Sequence, residues 1–376
     1  MTIKENIILQ KNAPIQVHRI ENTGEFEKLR LDWTTLLSQN STRDAFLTWE
    51  WNFAWWKCYG QGKELWLITA WKQNKLIGIA PLVLIKRKKF GIEFRILSSL
   101  GTYSLDVGGF IVQNNDQEIY SAICNYLIMN KNLWDLMELN EFAFNDPGTG
   151  FLKSIFLNLG WSIIQQDRLH YYLPIQDTWQ DYLNQLSPNL RGDLRKKVHR
   201  IEKQGKLTYI HHHGPDVTRQ DLVTIFKINA HGRYSTFYQS NEEKSFQKEL
   251  CKLMSERGWF DVHFLFIDNH PVAYRSGFYF QNRFEDWRTG FNTKYYELSV
   301  GKVLLMFVIE DCFKQSSHEI DFLRGDEEYK LRWNTKERVF SCLRFINSHK
   351  PIHALIYILI PKIKMGMKKI IKKNGN

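Results

Sequence analysis

The segment Asp321–Trp333, with the sequence DFLRGDEEYKLRW, combines acidic, basic and aromatic residues directly behind a β-like stretch at 319–323. Charges at the exit of a buried strand are costly unless they are paired or used for chemistry. In a catalytic interpretation, Asp321 and either Asp326 or Glu327 accept protons or hold an amine, and Tyr329 donates a proton. In a structural interpretation, the same charges form an ion-pair lattice that joins two elements. The sequence leaves both interpretations open.

A second candidate lies just upstream, at the predicted start of a helix. Ser299 is a good N-cap residue, Gly301 allows a ligand to approach the backbone, and Lys302 adds a positive charge. The free N–H groups of a first helical turn, together with the helix dipole, suit a pyrophosphate. An ordinary capped helix explains the same residues. The candidate anion-binding residues are Ser299, Val300, Gly301, Lys302, Val303 and Leu304.

The segment 189–206 predicts a strongly basic helix. Leu190, Leu194 and Val198 form an apolar stripe, so the helix is expected to pack on its domain with its lysines and arginines outward. The cations can bind an anion, or they can simply form a solvated face.

Other polar residues are weaker candidates. Glu285 and Asp286 lie on an alternating strand, where one of the two carboxylates can face a cleft as a base and the other solvent. His231 ends a helix as a cap or cleft residue. His211–His213 is expected in a loop, without an acid or cysteine at ligand spacing, so no metal site is expected. Five scattered cysteines indicate neither a zinc site nor disulfides.

Length and composition set the broad class. A chain of 376 residues with 43% hydrophobic residues predicts two packed domains and excludes a disordered protein. The formal net charge of +11 favours anionic partners, such as phosphorylated cofactors, nucleic acid or anionic membrane.

Hydrophobic periodicity predicts two successive α/β units with the same order of elements. In the first unit it predicts helices at 25–38, 46–59 (with aromatic residues at helical spacing) and 117–129, and a hairpin of 65–70 with 76–84 that turns at Gln73-Asn74-Lys75. The expected fold class is α/β (α+β), with a mixed, mainly antiparallel sheet flanked by helices in each unit. We predict an N-terminal extension at 1–14, a first domain at 15–175, a second at 176–348 and a tail at 349–376.

The tail joins an apolar run at 354–360 to a lysine-rich end. Such a segment lies on an anionic membrane surface, or else docks on its own domain with a frayed end. Neither a secretory signal nor a run of about 18 apolar residues is visible. The expected location is therefore the cytoplasm, either free or at the inner face of the membrane.

Four motifs together resemble the CelD-type acetyltransferase family, a branch of the GNAT superfamily often linked to the synthesis of cellulose and other exopolysaccharides. They are Asn189-Leu190-Arg191, Gly290-Phe291-Asn292 to Tyr295, Ser299-Val300-Gly301 and the segment Asp321–Trp333. The resemblance is clearest over about residues 180–335. It implies two tandem GNAT-like domains, similar in plan to the Fem-type aminoacyl transferases.

The resemblance also implies a chemistry. An acyl-CoA would rest its pyrophosphate on Ser299–Leu304 of the second domain, and its acyl group would pass directly to an amine of a sugar- or amino-acid-derived acceptor, without a metal. Asp286 or Asp321 would be the base and Tyr329 the acid, with His231 in reserve. The single glycine, Gly301, departs from the more glycine-rich GNAT pattern.

Two further functions stay open. A Fem-like enzyme would take an aminoacyl group from tRNA, to which the basic helix and the net charge are also suited. Alternatively, a chain whose GNAT site has decayed would be a non-catalytic scaffold of a polysaccharide synthesis complex.

Overall fold

A computed structural model of the chain describes residues 14–40, 44–89, 91–102, 104–232, 240–347 and 350. The predicted N-terminal extension, apart from Pro14, and the predicted membrane-binding run at 354–360 lie outside the described residues. The helices are α1 Thr23–Lys28, α2 Arg30–Ser38, α3 Trp49–Tyr59, α4 Gln117–Met129, α5 Pro147–Asn158, α6 Trp179–Gln185, α7 Pro188–Glu202, α8 Arg219–Ala230, α9 Asn241–Glu256, α10 Val300–Lys314 and α11 Glu328–Leu331.

The strands alternate with these helices along the chain. They are β1 Gln16–Ile20, β2 Glu64–Lys72, β3 Lys75–Lys89, β4 Ile92–Ser99, β5 Ile111–Val112, β6 Leu136–Ala143, β7 Ser162–Pro174, β8 Leu207–His213, β9 Phe260–Ile267, β10 His270–Phe280, β11 Arg283–Phe291, β12 Glu319–Arg324 and β13 Lys336–Ile346.

Two compact units interleave along the chain. Unit 1 consists of residues 1–42, 62–167 and 341–376, and unit 2 consists of residues 43–61 and 168–340. Two of the four boundaries fall inside strands, one in β7 and one in β13. The division of the chain into domains at 15–175 and 176–348 stays a prediction.

Unit 1 contains a sheet in the order β1-β2-β3-β4-β6-β13. The predicted hairpin between β2 and β3 is present, and its turn residues Gln73 and Asn74 have positive φ values of 51° and 59°. This left-handed backbone matches the twist of a two-residue hairpin turn. Helices α4 and α5 bury Ile123 and Phe156 against the sheet.

Unit 2 contains the strand order β7-β12-β11-β10-β9-β8, in which neighbouring strands are antiparallel except for the parallel pair β11–β12. Helix α10 packs on one face through buried Val303, Leu304 and Val308. Helices therefore flank a mixed, mainly antiparallel sheet, and the predicted fold class is confirmed.

Helix α3 belongs to unit 2, although it precedes most of unit 1 in the sequence. Trp51 is fully buried there, with its ring in edge contact with Phe246 at 5.3 Å and with Trp287 at 5.2 Å. Lys57 pairs with Glu249 of α9 at 2.8 Å. The aromatic spacing that predicted this helix therefore reflects packing against residues about 200 positions away.

Two local predictions were wrong. His211–His213 does not lie in a loop but ends strand β8, paired in register with β9. The expected single helix at 25–38 is two helices, α1 and α2, that meet at Leu29. Among the described residues, no helix combines the length and apolar character needed to cross a membrane.

Candidate active site in unit 2

The start of helix α10 leaves two backbone amides without a partner in the helix. Ser299 adopts a left-handed conformation, with φ 53°, and its carbonyl accepts hydrogen bonds from the amides of Lys302 at 2.9 Å and Val303 at 3.2 Å. Within the described residues, the amides of Val300 and Gly301 have no backbone acceptor. Free N–H groups at a helix start attract an anion.

The side chain of Ser299 does not cap the helix, contrary to the prediction. Its hydroxyl instead accepts a hydrogen bond from Lys197 Nζ of α7 at 2.8 Å. Lys302, expected to carry a mobile charge, donates to Asp193 Oδ2 at 2.6 Å. Partial burial raises the pKa of Asp193. Lys302, and then Lys197, lower it by more, so the pKa lies below its ordinary value. The basic helix is thus anchored beside the α10 start.

A side chain at position 301 would have room. A Cβ atom added there would meet only Phe291 Cδ1, at an ordinary contact distance of 3.7 Å. Val300, Val303 and Leu304 are fully buried and hold the helix on its sheet. Of the six predicted binding residues, Gly301 has an unpartnered amide in a half-buried position, and the unpartnered amide of Val300 belongs to a fully buried residue. Ser299, Lys302, Val303 and Leu304 shape the helix start.

Strands β11 and β12 pair only over a short length. Their parallel register runs from Arg283 opposite Glu319 to Glu285 opposite Asp321. Strand β11 continues to Phe291 and leads into the turn before α10. Beyond the last pair, backbone groups of 323–325 bond to side chains instead: the Leu323 amide to Asp321, and the three carbonyls to Lys330.

Asp286 and Tyr329 meet through Arg275, a residue that the sequence analysis missed. Arg275 Nη1 donates to Asp286 Oδ2, and its guanidinium carbon lies 5.9 Å from the centre of the Tyr329 ring. Asp286 Oδ1 is buried and has no hydrogen-bond partner. Burial raises the pKa of Asp286, and Arg275 opposes that rise. Burial likewise raises the pKa of Tyr329 against the effect of Arg275. The group thus contains one proton acceptor and one phenol donor.

Asp321 is not part of this group. It is in register with Glu285, and side chains alternate between faces along a strand, so Asp321 and Asp286 lie on opposite faces of the sheet. Its Oδ1 accepts from the amide of Leu323 at 2.8 Å, and its Oδ2 accepts from Arg338 Nη1 at 3.0 Å. Both oxygens are used for structure.

A buried network of carboxylates and arginines surrounds Asp321. Arg283 donates to Glu285 and, at 2.7 Å, to Asp44 Oδ2. Arg338 also donates to Glu319. Burial raises the pKa of Glu285 well above its ordinary value, and Asp44 adds to the rise. The members come from positions 44 to 338, so no sequence spacing could have revealed them.

The turn after β12 is held by Lys330. This buried side chain donates to the carbonyl oxygens of Leu323 at 3.4 Å, Arg324 at 2.9 Å and Gly325 at 3.3 Å. Leu323 and Gly325 have positive φ values, 57° and 119°. In this turn, hydrogen bonds from Lys330 to backbone carbonyls therefore largely take the place of the predicted ion-pair lattice. The pair of Arg332 with Glu328 is exposed.

His231 caps helix α8 and does not join the other candidates. Its side chain is exposed, and its carbonyl accepts from Thr293 N at 3.1 Å and Thr293 Oγ1 at 2.8 Å. These bonds tie the end of α8 to the turn that precedes α10.

Part of the chain resembles a known family in sequence. Residues 188–331 match a family model described as an acetyltransferase (GNAT) domain. The sequence has no match among the curated proteins. The similarity of residues 188–331 to a GNAT acetyltransferase domain supports an enzyme of the acyltransferase class.

Solved structures resemble nearly the whole chain. The crystal structure of FemX has a TM-score of 0.60 at 11% identity, over 91% of this chain and 99% of that chain. L-PGS from Bacillus licheniformis has a TM-score of 0.53 at 9% identity, over 88% and 96%. A tandem GNAT protein from the clavulanic acid biosynthesis pathway has a TM-score of 0.51 at 10% identity, over 87% and 98%. At such identities, the likeness establishes the fold alone.

Proposed function

We propose that unit 2 binds an acyl-CoA and transfers its acyl group to an amine. One observation carries this proposal: within the matched segment, helix α10 begins with amides at Val300 and Gly301 that have no backbone acceptor, and Gly301 is half-buried with room for a side chain. An acyl-CoA presents a pyrophosphate, which is the kind of anion that such a helix start binds. Lys197 and Lys302 add positive charge beside it.

We assign the chemistry to Asp286 and Tyr329. Asp286 takes a proton from the acceptor amine, whose nitrogen then bonds to the thioester carbonyl carbon. The tetrahedral intermediate collapses, the carbon–sulfur bond breaks, and Tyr329 protonates the departing thiolate. Proton transfer from Asp286 back to Tyr329 restores both groups. Arg275 is a positioning residue, because it contacts both side chains.

We further propose a sugar- or amino-acid-derived amine as the acceptor, in exopolysaccharide or cell-envelope synthesis. Support comes from the resemblance of the four motifs, Asp321–Trp333 above all, to the CelD-type family. In this proposal the chain acts in the cytoplasm, where acyl-CoA is made, and the tail at 351–376 holds it at the membrane. Loss of anionic-liposome binding on deletion of 351–376 is the expected result, and unchanged binding would refute that anchoring role.

A test of the donor site uses isothermal titration with acetyl-CoA. The wild type should bind, and Gly301→Trp should not, because the indole would stand beside the Gly301 amide and obstruct the ligand. Gly150→Trp is the matched control, since Gly150 lies on α5 of unit 1 and also has no atom within 4 Å of an added Cβ. The proposal is refuted if the wild type does not bind acetyl-CoA at about 1 mM, a dissociation constant that corresponds to a binding free energy of about −4 kcal/mol.

The second candidate is a Fem-like enzyme that uses aminoacyl-tRNA. It is favoured by the likeness to FemX and by the exposed side chains of Arg195, Lys196 and Arg200 on α7. Salt-sensitive binding of tRNA, without binding of acetyl-CoA, would support it. A chain that binds neither ligand would be the non-catalytic scaffold.

A further inference from the structure

A cluster of histidines and aspartates joins β8, β9 and α10 on the face of the sheet that α10 covers. Because residues two apart on a strand face the same way, His211 and His213 both point toward Asp261 of β9. His211 Nε2 lies 3.1 Å from Asp261 Oδ2, and His213 Nδ1 lies 2.5 Å from Asp261 Oδ1. The strand thus brings two imidazoles onto one carboxylate.

We propose that His211, His213 and Asp261 bind one divalent transition-metal ion, with Zn²⁺ the best match to the donors. Zn²⁺ takes imidazole nitrogen and carboxylate oxygen at about 2.0–2.2 Å, and an ion held by three protein ligands keeps a position for water. One donor atom from each of the three residues lies within 4.8 Å of the others. Binding of one ion by all three residues requires side-chain rotations that draw these donor atoms closer together.

Asp311 of α10 supplies the support that a metal-binding histidine requires. Its Oδ2 lies 2.8 Å from His211 Nδ1, the ring nitrogen that faces away from Asp261. A carboxylate on the second nitrogen fixes the tautomer and the ring orientation of a histidine ligand. The His211 ring also stacks on the buried His263 ring, with centroids 4.2 Å apart.

The neighbouring set His211, His263 and Asp311 has donor atoms equally close together. His263 is only 1% exposed, its Nε2 has no hydrogen-bond partner, and its Nδ1 lies 2.9 Å from the Tyr209 hydroxyl. We favour the first set because the His213 side chain is 45% exposed, which gives a hydrated ion a path to the ligands. His263 then serves to hold the His211 ring in place.

An ion at this position would tie β8 to β9, and through Asp311 to α10. Strand β8 is the last strand in the order of unit 2. Within that order it pairs along one edge only, with β9. A ligand that binds only the folded state raises the free energy of unfolding. The inference concerns folding stability, so it is independent of the proposed acyl transfer.

The test uses the full chain without an affinity tag, stripped with a chelator. Zn²⁺ is titrated by calorimetry, and Co²⁺ by its visible absorption. The wild type should bind one equivalent and unfold at a higher temperature with Zn²⁺. His213→Gln should lose binding and the thermal shift; because His213 is about half exposed, the change should leave the core intact.

His212→Gln is the matched control. His212 lies on the same strand but faces the other way, where its Nδ1 contacts Asp221 Oδ1 at 3.0 Å. It should bind Zn²⁺ as the wild type does. Asp311→Asn keeps the three ligands, and it should weaken binding about 10- to 100-fold. The proposal is overturned if the stripped wild type shows no saturable binding. It is equally overturned if His212→Gln loses as much affinity as His213→Gln, or if His263→Ala abolishes binding that His213→Gln retains.

Discussion

Arg275 donates a hydrogen bond to Asp286 inside unit 2, and the same guanidinium lies against the Tyr329 ring. The arginine holds a carboxylate and a phenol in one buried group. Asp286 keeps one oxygen without a partner, as a proton acceptor requires.

Asp286→Asn should abolish acyl transfer without abolishing donor binding. An amide cannot take the proton of the amine, so kcat should fall by about 10²–10⁴-fold. The measurement is release of the CoA thiol, with an acceptor found by screening sugar and amino-acid amines, beside calorimetry with acetyl-CoA. Asp326→Asn changes an exposed aspartate in the turn after β12; it is the control and should keep full activity. Unchanged kcat in Asp286→Asn would remove this residue from the mechanism.

Asp321→Asn should reduce stability, since the Asp321 carboxylate accepts bonds from Arg338 and from the Leu323 amide. Loss of a hydrogen bond to a charged group costs about 1.5–3 kcal/mol in the free energy of unfolding, measured by urea denaturation. Glu328→Gln breaks only an exposed ion pair with Arg332 and should change that free energy by less than about 1 kcal/mol. Equal effects of the two changes would contradict the structural role of Asp321.

Alanine at Gly325 and at Gly301 should have opposite effects on stability. Gly325 has φ 119°, where a side chain is strained by about 1–3 kcal/mol, and an added Cβ would lie 2.3 Å from Glu327 Oε2. The Glu327 side chain is exposed and can move, but the backbone strain remains. Gly301 lies in a helix with open space around it, so alanine there should stabilise by up to about 1 kcal/mol. Thermal unfolding of both variants gives the comparison. A Gly325→Ala protein as stable as the wild type would contradict the strained turn.

Glu285→Gln should change how stability depends on pH. Burial, and then Asp44, raise the pKa of Glu285 in the folded chain above the ordinary value of 4.5. Between these two pKa values the folded state holds a proton that the unfolded state has lost. The free energy of unfolding contributed by Glu285 is therefore present below the ordinary pKa, and it is lost as the pH rises through the folded pKa.

The measurement is urea denaturation from about pH 5 to about pH 8. The wild type should lose stability relative to Glu285→Gln as the pH rises, while the exposed Glu256→Gln should keep the wild-type slope. Parallel curves for wild type and Glu285→Gln would show that Glu285 is ionised throughout.

Much of the fold was predictable because its signals are local. Helix α4 occupies the predicted residues, Gln117–Met129, since its apolar spacing, Asp116 cap and length all agree. The Gln73-Asn74 turn and helix α10 were predicted in the same way. His211–His213 was misassigned because three adjacent polar residues before Gly214-Pro215 resemble a loop, whereas pairing with β9 makes them a strand end.

The sequence by itself determined the periodic elements, the fold class and the segment from Ser299 to Tyr329 in which a site should lie. Only the tertiary structure decided which polar groups meet. It joined Asp286 and Tyr329 through Arg275, assigned Asp321 to the other face, and brought His211 and His213 to Asp261. The physical reason is that periodicity reports burial along one element, whereas these contacts depend on strand order and register between elements distant in sequence.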